Sequence, residues 1–174
     1  HLPIKDVEGT ISKELIVEKT KILHQSLKRD FFIPNPRIAI LALNPHAGDS
    51  GVLGTEEQEI ITPAINELEE SGIQAFGPYA ADGFFGSGTY SKFDAILAMY
   101  HDQGHIPFKV VGFNWNKETG KMDSAQGVNI TLGLPIIRVS VDHGTAFDVA
   151  GKGIASPSAM LLSIDYATRM AENR

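Results

Sequence analysis

The sequence RIAILAL at residues 37–43 decides the fold. It is a short apolar run that is partly β-branched, and such a run is typical of a strand buried in a parallel sheet. Two later runs, FDAILAM at residues 93–99 and LPIIRVSV at residues 134–141, have the same character. The sequence therefore predicts three buried strands.

Helical patterns alternate with these strands. Apolar residues recur at helical spacing over residues 11–29 and again over residues 56–70. A third helix is predicted over residues 156–170, where Ser156 can cap the first turn and Pro157 suits that turn. Strands that alternate with helices indicate an α/β fold, with a mainly parallel sheet flanked by helices.

Two stretches are predicted as connections. Residues 77–88 are rich in glycine and include a proline, which favours a loop. Residues 114–126, NWNKETGKMDSAQ, are polar and predict an exposed loop or hairpin.

The composition limits the class of protein. The 174 residues carry a net charge of -6 with acids and bases mixed along the chain, which argues against a nucleic-acid-binding surface. No apolar run reaches the length of a membrane span, and no signal-peptide pattern is present. Because the chain has no cysteine, a metal site would have to use His, Asp, Glu or backbone oxygen.

Two histidines follow two of the predicted strands. His46 follows the strand at residues 37–43, and His101 follows the strand at residues 93–99. Ligands gather beyond the carboxyl ends of parallel strands, and neutral imidazole is a good ligand for several divalent metals. The two side chains could equally be polar loop residues that cap backbone groups. Asp102 could orient His101, act as a base or bind the ion, or it could cap a helix.

Two cations and one amide are candidates for substrate binding. Lys109 and Arg138 could hold an anionic group, although Arg138 lies in an apolar run and could instead form a structural ion pair. Asn129 could orient the substrate or could be a buried loop residue that binds backbone.

One glycine-rich segment precedes the last predicted helix. Residues 143–160, HGTAFDVAGKGIASPSAM, join a glycine-rich loop to a capped helix N-terminus, which could receive the phosphates or adenine of a cofactor. A long surface loop is the alternative. The glycines at residues 83–88 do not form a dinucleotide-binding motif.

Several motifs together resemble the 4-hydroxythreonine-4-phosphate dehydrogenase family, and they run in family order over nearly the whole chain. They are HLPIKDV, ALNPHAGDSGVLGTEE, GPYAADGFF, YHDQGHIPFK, GVNITLGLPIIRVSVDHGTAFDVAGKG and ASPSAMLLS. The resemblance implies a fold like that of isocitrate and isopropylmalate dehydrogenases. It also implies that residues 1–174 are the carboxyl-terminal portion of a two-lobed enzyme, so that the N-terminal lobe is absent.

The resemblance further implies a set of site residues. One divalent cation, such as Zn, Mg, Co or Ni, would be bound by three histidines, and the substrate by a lysine, an asparagine and an arginine. Acidic residues would lie near the metal, and the glycine-rich segment would bind NAD. In this sequence the metal ligands are His1, His46 and His101, the substrate contacts are Lys109, Asn129 and Arg138, the catalytic candidates are Lys109, Asp102 and Asp82, and the cofactor contacts are His143, Gly144, Asp148 and Gly151.

The reaction implied is the NAD-linked oxidation and decarboxylation of 4-phosphooxy-threonine in pyridoxal phosphate biosynthesis, by a cytoplasmic homodimer. Lys109 could also relay a proton. Residues 114–126 lengthen a link that is short in the family, so the substrate could instead be threonate or erythronate 4-phosphate. Further alternatives are a hydrolase that uses His46, His101 and Asp102, and an inactive metal-binding dimerisation fragment.

Overall fold

The computed structural model describes residues 1–118, 121–125, 127–142 and 147–174. It divides into an N-terminal unit, His1–Pro107, and a C-terminal unit, Phe108–Arg174. The helices are α1 (Ile4–Val7), α2 (Lys13–Asp30), α3 (Thr62–Glu70), α4 (Ala81–Gly86), α5 (His101–Gly112) and α6 (Ser158–Asn173). The strands are β1 (Arg37–Leu41), β2 (Gln74–Tyr79), β3 (Ala95–Leu97), β4 (Phe113–Asn116), β5 (Lys121–Ala125), β6 (Val128–Thr131) and β7 (Arg138–Val141).

The N-terminal unit is built on a parallel sheet in the order β2-β1-β3. Its central strand β1 confirms the strand predicted from RIAILAL, and Ile38 through Leu41 are completely buried. Successive side chains of a strand point to opposite faces. Ile38 and Ile40 pack into the cluster formed with α2 and α3, whereas Ala39 and Leu41 pack with Phe84 of α4. Because helices cover both faces, the strand is apolar throughout rather than alternating.

The two long helices of this unit were predicted correctly to within a few residues. Helix α2 begins after Ser12, whose hydroxyl oxygen accepts a hydrogen bond from the Leu15 amide at 3.2 Å, so that Ser12 caps the helix. A single π-helical turn, Glu57–Ile61, leads directly into α3. Together they form the helix predicted over residues 56–70.

The prediction of a loop over residues 77–88 was wrong. Strand β2 continues to Tyr79, and α4 spans Ala81–Gly86 despite its two glycines. Phe84 is 3% exposed and stacks against the Tyr79 ring at a centroid distance of 5.0 Å. The burial of this aromatic side chain outweighs the low helix propensity of glycine, which local pattern reasoning weighted too heavily.

The C-terminal unit contains antiparallel strand pairs rather than a continuation of the parallel sheet. Strands β4 and β5 pair across the predicted hairpin region, and β6 pairs antiparallel with β7. The expectation that the run at residues 134–141 adds a parallel strand was therefore wrong. Its connection to β6, residues 132–137, is shorter than the roughly dozen residues that a parallel crossover needs.

The last helix, α6, begins slightly later than predicted. Pro157 occupies the N-cap position rather than the first turn, and the Ser156 hydroxyl accepts a hydrogen bond from the Ser158 amide at 3.4 Å. Among the described helices of both units, none is long and apolar enough to span a lipid bilayer.

Candidate functional site at the carboxyl edge of the parallel sheet

The histidines predicted to bind metal follow neighbouring strands of one sheet. Strands β1 and β3 are hydrogen-bonded in parallel, so their carboxyl ends lie at the same edge. His46 follows β1, and His101 follows β3 and opens α5. The topology therefore places the segments that carry both histidines at the edge where α/β sheets commonly bind ligands.

The side chains of His1 and His101 lie against each other. Their ring centroids are 4.9 Å apart, and the ring planes are inclined by 42°. This proximity joins a residue from the start of the chain to one at the start of α5. Two imidazoles at this separation could contribute to one metal site, since neutral imidazole suits Zn, Co and Ni.

A third imidazole, which the sequence reasoning missed, stacks on His101. The His105 ring is 4.3 Å from that of His101, and the planes differ by only 8°. The signal was present in the sequence, because residues four apart on a helix share a face and both histidines belong to the motif HDQGH. The His101 ring therefore contacts imidazoles from two directions.

Asp102 contacts the same ring through a hydrogen bond. Its Oδ1 lies 2.8 Å from His101 Nδ1. If Nδ1 carries the proton, the carboxylate accepts a hydrogen bond from Nδ1–H and Nε2 keeps a lone pair for a ligand. Carboxylates commonly orient metal-binding histidines in this way. Asp102 lies within the first turn of α5 rather than before it, so the helix-cap alternative does not describe its position.

A cavity of about 380 Å³ opens beside the paired histidines. Its wall includes both rings, Asp102 and apolar side chains from the start of the chain and the end of β3. The lining residues nearest the chemistry are His1, Leu2, Met99, Tyr100, His101 and Asp102. Such a mixture of apolar wall and a few polar groups is usual for small-molecule sites.

The structure does not complete a three-ligand metal site. Within the described parts of the chain, no three His, Asp or Glu side chains form a group that could hold an ion, although three of them contact His101. His1 and His101 are brought together, whereas His46 does not join them in such a group. The segment that carries His46 has left-handed backbone from residue 46 to residue 50.

Asp82 and the predicted substrate contacts lie on exposed or half-exposed surface. Asp82 is exposed in the first turn of α4. In the C-terminal unit, Lys109 Nζ lies 3.4 Å from Asp142 Oδ2, an oxygen that is itself buried. Asp142 follows β7 directly, and the sequence reasoning did not single it out. An anionic substrate group on Lys109 would therefore compete with an existing carboxylate.

Arg138 and Asn129 occupy neighbouring strands of the C-terminal unit. Arg138 is exposed at the start of β7, and its Nη1 donates a hydrogen bond to the Thr131 hydroxyl at 2.6 Å. Although Arg138 lies in an apolar run of the sequence, its guanidinium is exposed to solvent. Asn129 is exposed on β6 opposite Ser140, so it is not the buried loop residue of the alternative interpretation.

The predicted cofactor contacts are only partly described. His143 and Gly144 lie outside the described residues. Asp148 belongs to the short helical turn Phe147–Val149, and Gly151 follows it with a positive φ of 74° on exposed backbone. The assignment of these residues to NAD stays a prediction.

The chain matches known proteins along nearly its whole length. Residues 1–167 match the family model of the pyridoxal phosphate biosynthetic protein PdxA. A 4-hydroxythreonine-4-phosphate dehydrogenase from Bacteroides thetaiotaomicron is 55% identical over 174 residues, which are 100% of this chain and 45% of that protein. A relative from Bradyrhizobium diazoefficiens, named for D-threonate 4-phosphate dehydrogenase activity, is 45% identical over 171 residues, 98% of this chain and 49% of its own length.

Solved structures agree with these sequence matches. The crystal structure of 4-hydroxythreonine-4-phosphate dehydrogenase from Klebsiella pneumoniae superposes with a TM-score of 0.80 at 38% identity, over 98% of this chain and 48% of that one. The chain therefore spans about half the length of the relatives it matches. With an α/β fold and a family match over nearly its entire length, the chain belongs to the PdxA family of pyridoxal phosphate biosynthetic proteins.

Proposed function

We propose that this chain forms part of an NAD-dependent dehydrogenase that oxidises 4-hydroxythreonine 4-phosphate, with loss of carbon dioxide, on the route to pyridoxal phosphate. The observation that carries the proposal is the pairing of His1 with His101 at the edge of the parallel sheet, beside a cavity and with Asp102 bonded to His101. The names of the Bacteroides and Klebsiella relatives support the reaction class. We further propose a cytoplasmic homodimer as the working form.

The donor types fit a divalent metal. The His1 and His101 rings are in contact, and His46 is carried by the loop after the neighbouring strand. A divalent ion bound there would supply Lewis-acid polarisation of the substrate hydroxyl. Asp102 would hold the His101 ring in the tautomer that leaves Nε2 available, and the cavity wall at Leu2 and Met99 would limit access of water.

The cations of the C-terminal unit would hold the anionic groups of the substrate. Arg138 is exposed with its guanidinium free to offer several N–H donors besides the one directed at Thr131. Lys109 would exchange its contact with Asp142 for a substrate oxygen or relay a proton. NAD would accept the hydride, and the exposed backbone around Gly151 would contact its phosphates.

A second substrate is favoured by the name of one relative. The Bradyrhizobium relative is named for D-threonate 4-phosphate, and the link before Asn129 that the resemblance predicts to be lengthened contains the β4–β5 pair. We therefore keep D-threonate or D-erythronate 4-phosphate as the alternative substrate of the same site.

Formation of NADH by the intact protein tests the proposal. We expect NAD reduction with 4-hydroxythreonine 4-phosphate, its loss in His101→Ala, and no reduction by the isolated 174-residue chain. Faster reduction with D-threonate 4-phosphate would assign the alternative substrate. Turnover of phosphate esters without NAD would instead indicate a hydrolase, and the dehydrogenase proposal would be wrong.

A further inference from the structure

The loop that carries His46 has an unusual backbone. Residues 46–50 all have positive φ, at 52° for His46, 52° for Ala47, 78° for Gly48, 41° for Asp49 and 57° for Ser50. L-residues visit this region as single residues rather than in runs, because Cβ is forced towards the following carbonyl oxygen. Four of the five are not glycine, so the surrounding structure must hold the loop in this conformation.

A buried carboxylate contacts the entry to this loop. Glu57 is 3% exposed, and its Oε1 accepts hydrogen bonds from the backbone amides of Leu43 and Asn44, both at 2.8 Å. Its Oε2 accepts a third hydrogen bond from Asn44 Nδ2 at 3.0 Å. Hydrogen bonds to an ionised acceptor are stronger than those between neutral groups, especially where water is excluded. Glu57 therefore holds the backbone at the point where the chain leaves β1, and it shares the Asn44 side-chain amide with Glu56, whose Oε2 accepts from the same Nδ2 at 2.6 Å.

The same carboxylate limits which residue can occupy position 48, in the middle of the loop. A Cβ added to Gly48 would lie 2.6 Å from Glu57 Oε2 and 2.9 Å from the carbonyl oxygen of Gly54. Gly48 is buried, and its carbonyl oxygen accepts a hydrogen bond from the Leu53 amide at 3.0 Å. Only glycine lets the loop backbone approach the carboxylate this closely, so Glu57 touches the loop both before and after His46.

We propose that Glu57 is a positioning residue whose buried carboxylate holds the His46 loop at the carboxyl edge of the sheet. It acts on the imidazole only through the backbone of residues 43–48. This inference rests on the proposed function in so far as His46 is taken as a metal ligand. The holding of the loop itself depends only on the contacts of Glu57.

The chain offers a matched control for this role. Glu59 lies on the same π-helical turn, carries the same side chain and is exposed. Glu57→Ala removes the acceptor, whereas Glu57→Gln keeps an oxygen that can accept both backbone amides. It loses the charge and replaces Oε2 with an N–H donor, so that Asn44 Nδ2 keeps only Glu56 Oε2 as its acceptor. Glu59→Ala makes the same chemical change without touching the loop.

Amide hydrogen exchange of the folded 174-residue chain tests the loop directly. In Glu57→Ala we expect the Leu43 and Asn44 amides to exchange about tenfold faster or more, because their acceptor is gone. In Glu57→Gln and Glu59→Ala we expect rates within about threefold of the wild type. Wild-type exchange at both amides in Glu57→Ala would overturn the proposal. The same acceleration in Glu59→Ala would overturn it as well.

Zinc affinity tests whether the effect passes through His46. We expect Glu57→Ala to weaken zinc binding about 10- to 100-fold, as loss of an outer contact to a metal ligand does, and Glu57→Gln to restore most of the affinity. In a His46→Ala background, Glu57→Ala should cause no further loss. An equal further loss there would show a general structural effect and contradict a positioning role.

The two proposals can fail separately. If His46→Ala binds zinc as tightly as the wild type, His46 is not a ligand and that part of the proposed function is wrong. The exchange rates of Leu43 and Asn44 would still decide whether Glu57 holds the loop.

Discussion

His46 and His101 follow neighbouring strands of one parallel sheet, but the backbone that carries each is of a different kind. His46 lies in a run of left-handed residues, whereas His101 opens the regular helix α5. Each segment is attached to the strand ends by one buried polar side chain. Glu57 accepts hydrogen bonds from Leu43 and Asn44. Gln103 accepts one from the Met99 amide at 2.8 Å and donates one to the Ala42 carbonyl oxygen at 2.7 Å.

The two segments differ in how much they need a buried side chain to hold their backbone. A helix satisfies most of its own backbone groups, so a neutral amide that bridges two strand ends is sufficient at His101. A run of left-handed residues is unfavourable by itself. A charged acceptor with several donors is therefore found at His46. We expect the His46 segment to depend more strongly on Glu57 than the His101 segment depends on Gln103.

Removal of the Glu57 carboxylate should have the largest effect on stability. Glu57→Ala leaves the half-buried backbone amides of Leu43 and Asn44 without their acceptor, whereas Asn44 Nδ2 keeps its hydrogen bond to Glu56 Oε2. We expect the free energy of unfolding to fall by about 3 kcal/mol or more. Urea denaturation measures this loss, with Glu59→Ala as control. If Glu57→Ala loses less unfolding free energy than Gln103→Leu, the His46 segment does not depend more strongly on its buried side chain.

Removal of the Gln103 amide should have a smaller effect. Gln103→Leu keeps the volume but leaves the Met99 amide and the Ala42 carbonyl oxygen without this partner. We expect a loss of about 2 kcal/mol in urea denaturation. Gln25→Leu, at an exposed position of α2, is the matched control and should be near neutral. Equal stability of the two variants would mean that Gln103 does not anchor α5.

Asp102 should affect metal binding and leave the fold unchanged. Its carboxyl group is largely exposed, so Asp102→Asn should not shift the urea midpoint. The amide can present its N–H to His101 Nδ1 and favour the tautomer that leaves Nε2 protonated. We expect zinc affinity to fall by about tenfold, measured by calorimetric titration. Unchanged affinity would remove Asp102 from the role of orienting group.

The smallest effect is expected far from either histidine, at the contact between α2 and α3. Lys13 Nζ lies 2.9 Å from Glu67 Oε2, and this hydrogen bond holds the pKa of Glu67 below its ordinary value and that of Lys13 above it. A lowered carboxyl pKa adds stability above the unfolded pKa, and that stability is lost as pH falls through the folded pKa.

The urea midpoint of the wild type should therefore fall when the pH is lowered from neutral to below the ordinary carboxyl pKa of 4.5. In Glu67→Gln this fall should be slightly smaller. Both side chains are 40% exposed, so solvent screens the pair and the change should be small. Glu69→Gln on the exposed side of α3 is the control. An equal change in both variants would mean that the Lys13 contact contributes nothing.

Sequence patterns correctly predicted the features that depend on the spacing of apolar residues along the chain. The burial of β1, the helices α2, α3 and α6, and the placement of His46 and His101 after neighbouring strands all follow from periodicity and from the rules of parallel sheets. The pairing of His1 with His101 needed the family resemblance, because the two residues are distant in sequence. Glu57 gave no local signal, since a glutamate in an amphipathic helix is ordinarily exposed.

The wrong predictions concern segments whose structure depends on packing and on the length of their connections. Helix α4 forms because Phe84 is buried against β1, which glycine counting at residues 77–88 could not reveal. Strand β7 is antiparallel because of a short link to β6, although its own composition is that of a buried parallel strand. The stacking of His105 on His101 was readable from helical spacing and was overlooked.

Zinc binding by the 174-residue chain tests most directly the proposal that His1, His46 and His101 bind one metal ion. Calorimetric titration of the wild type should show one ion bound per chain. Replacement of any of the three by alanine should weaken binding by at least about tenfold, whereas His24→Ala on α2 should not. If any of the three alanine variants binds zinc as tightly as His24→Ala, the three-histidine site is contradicted.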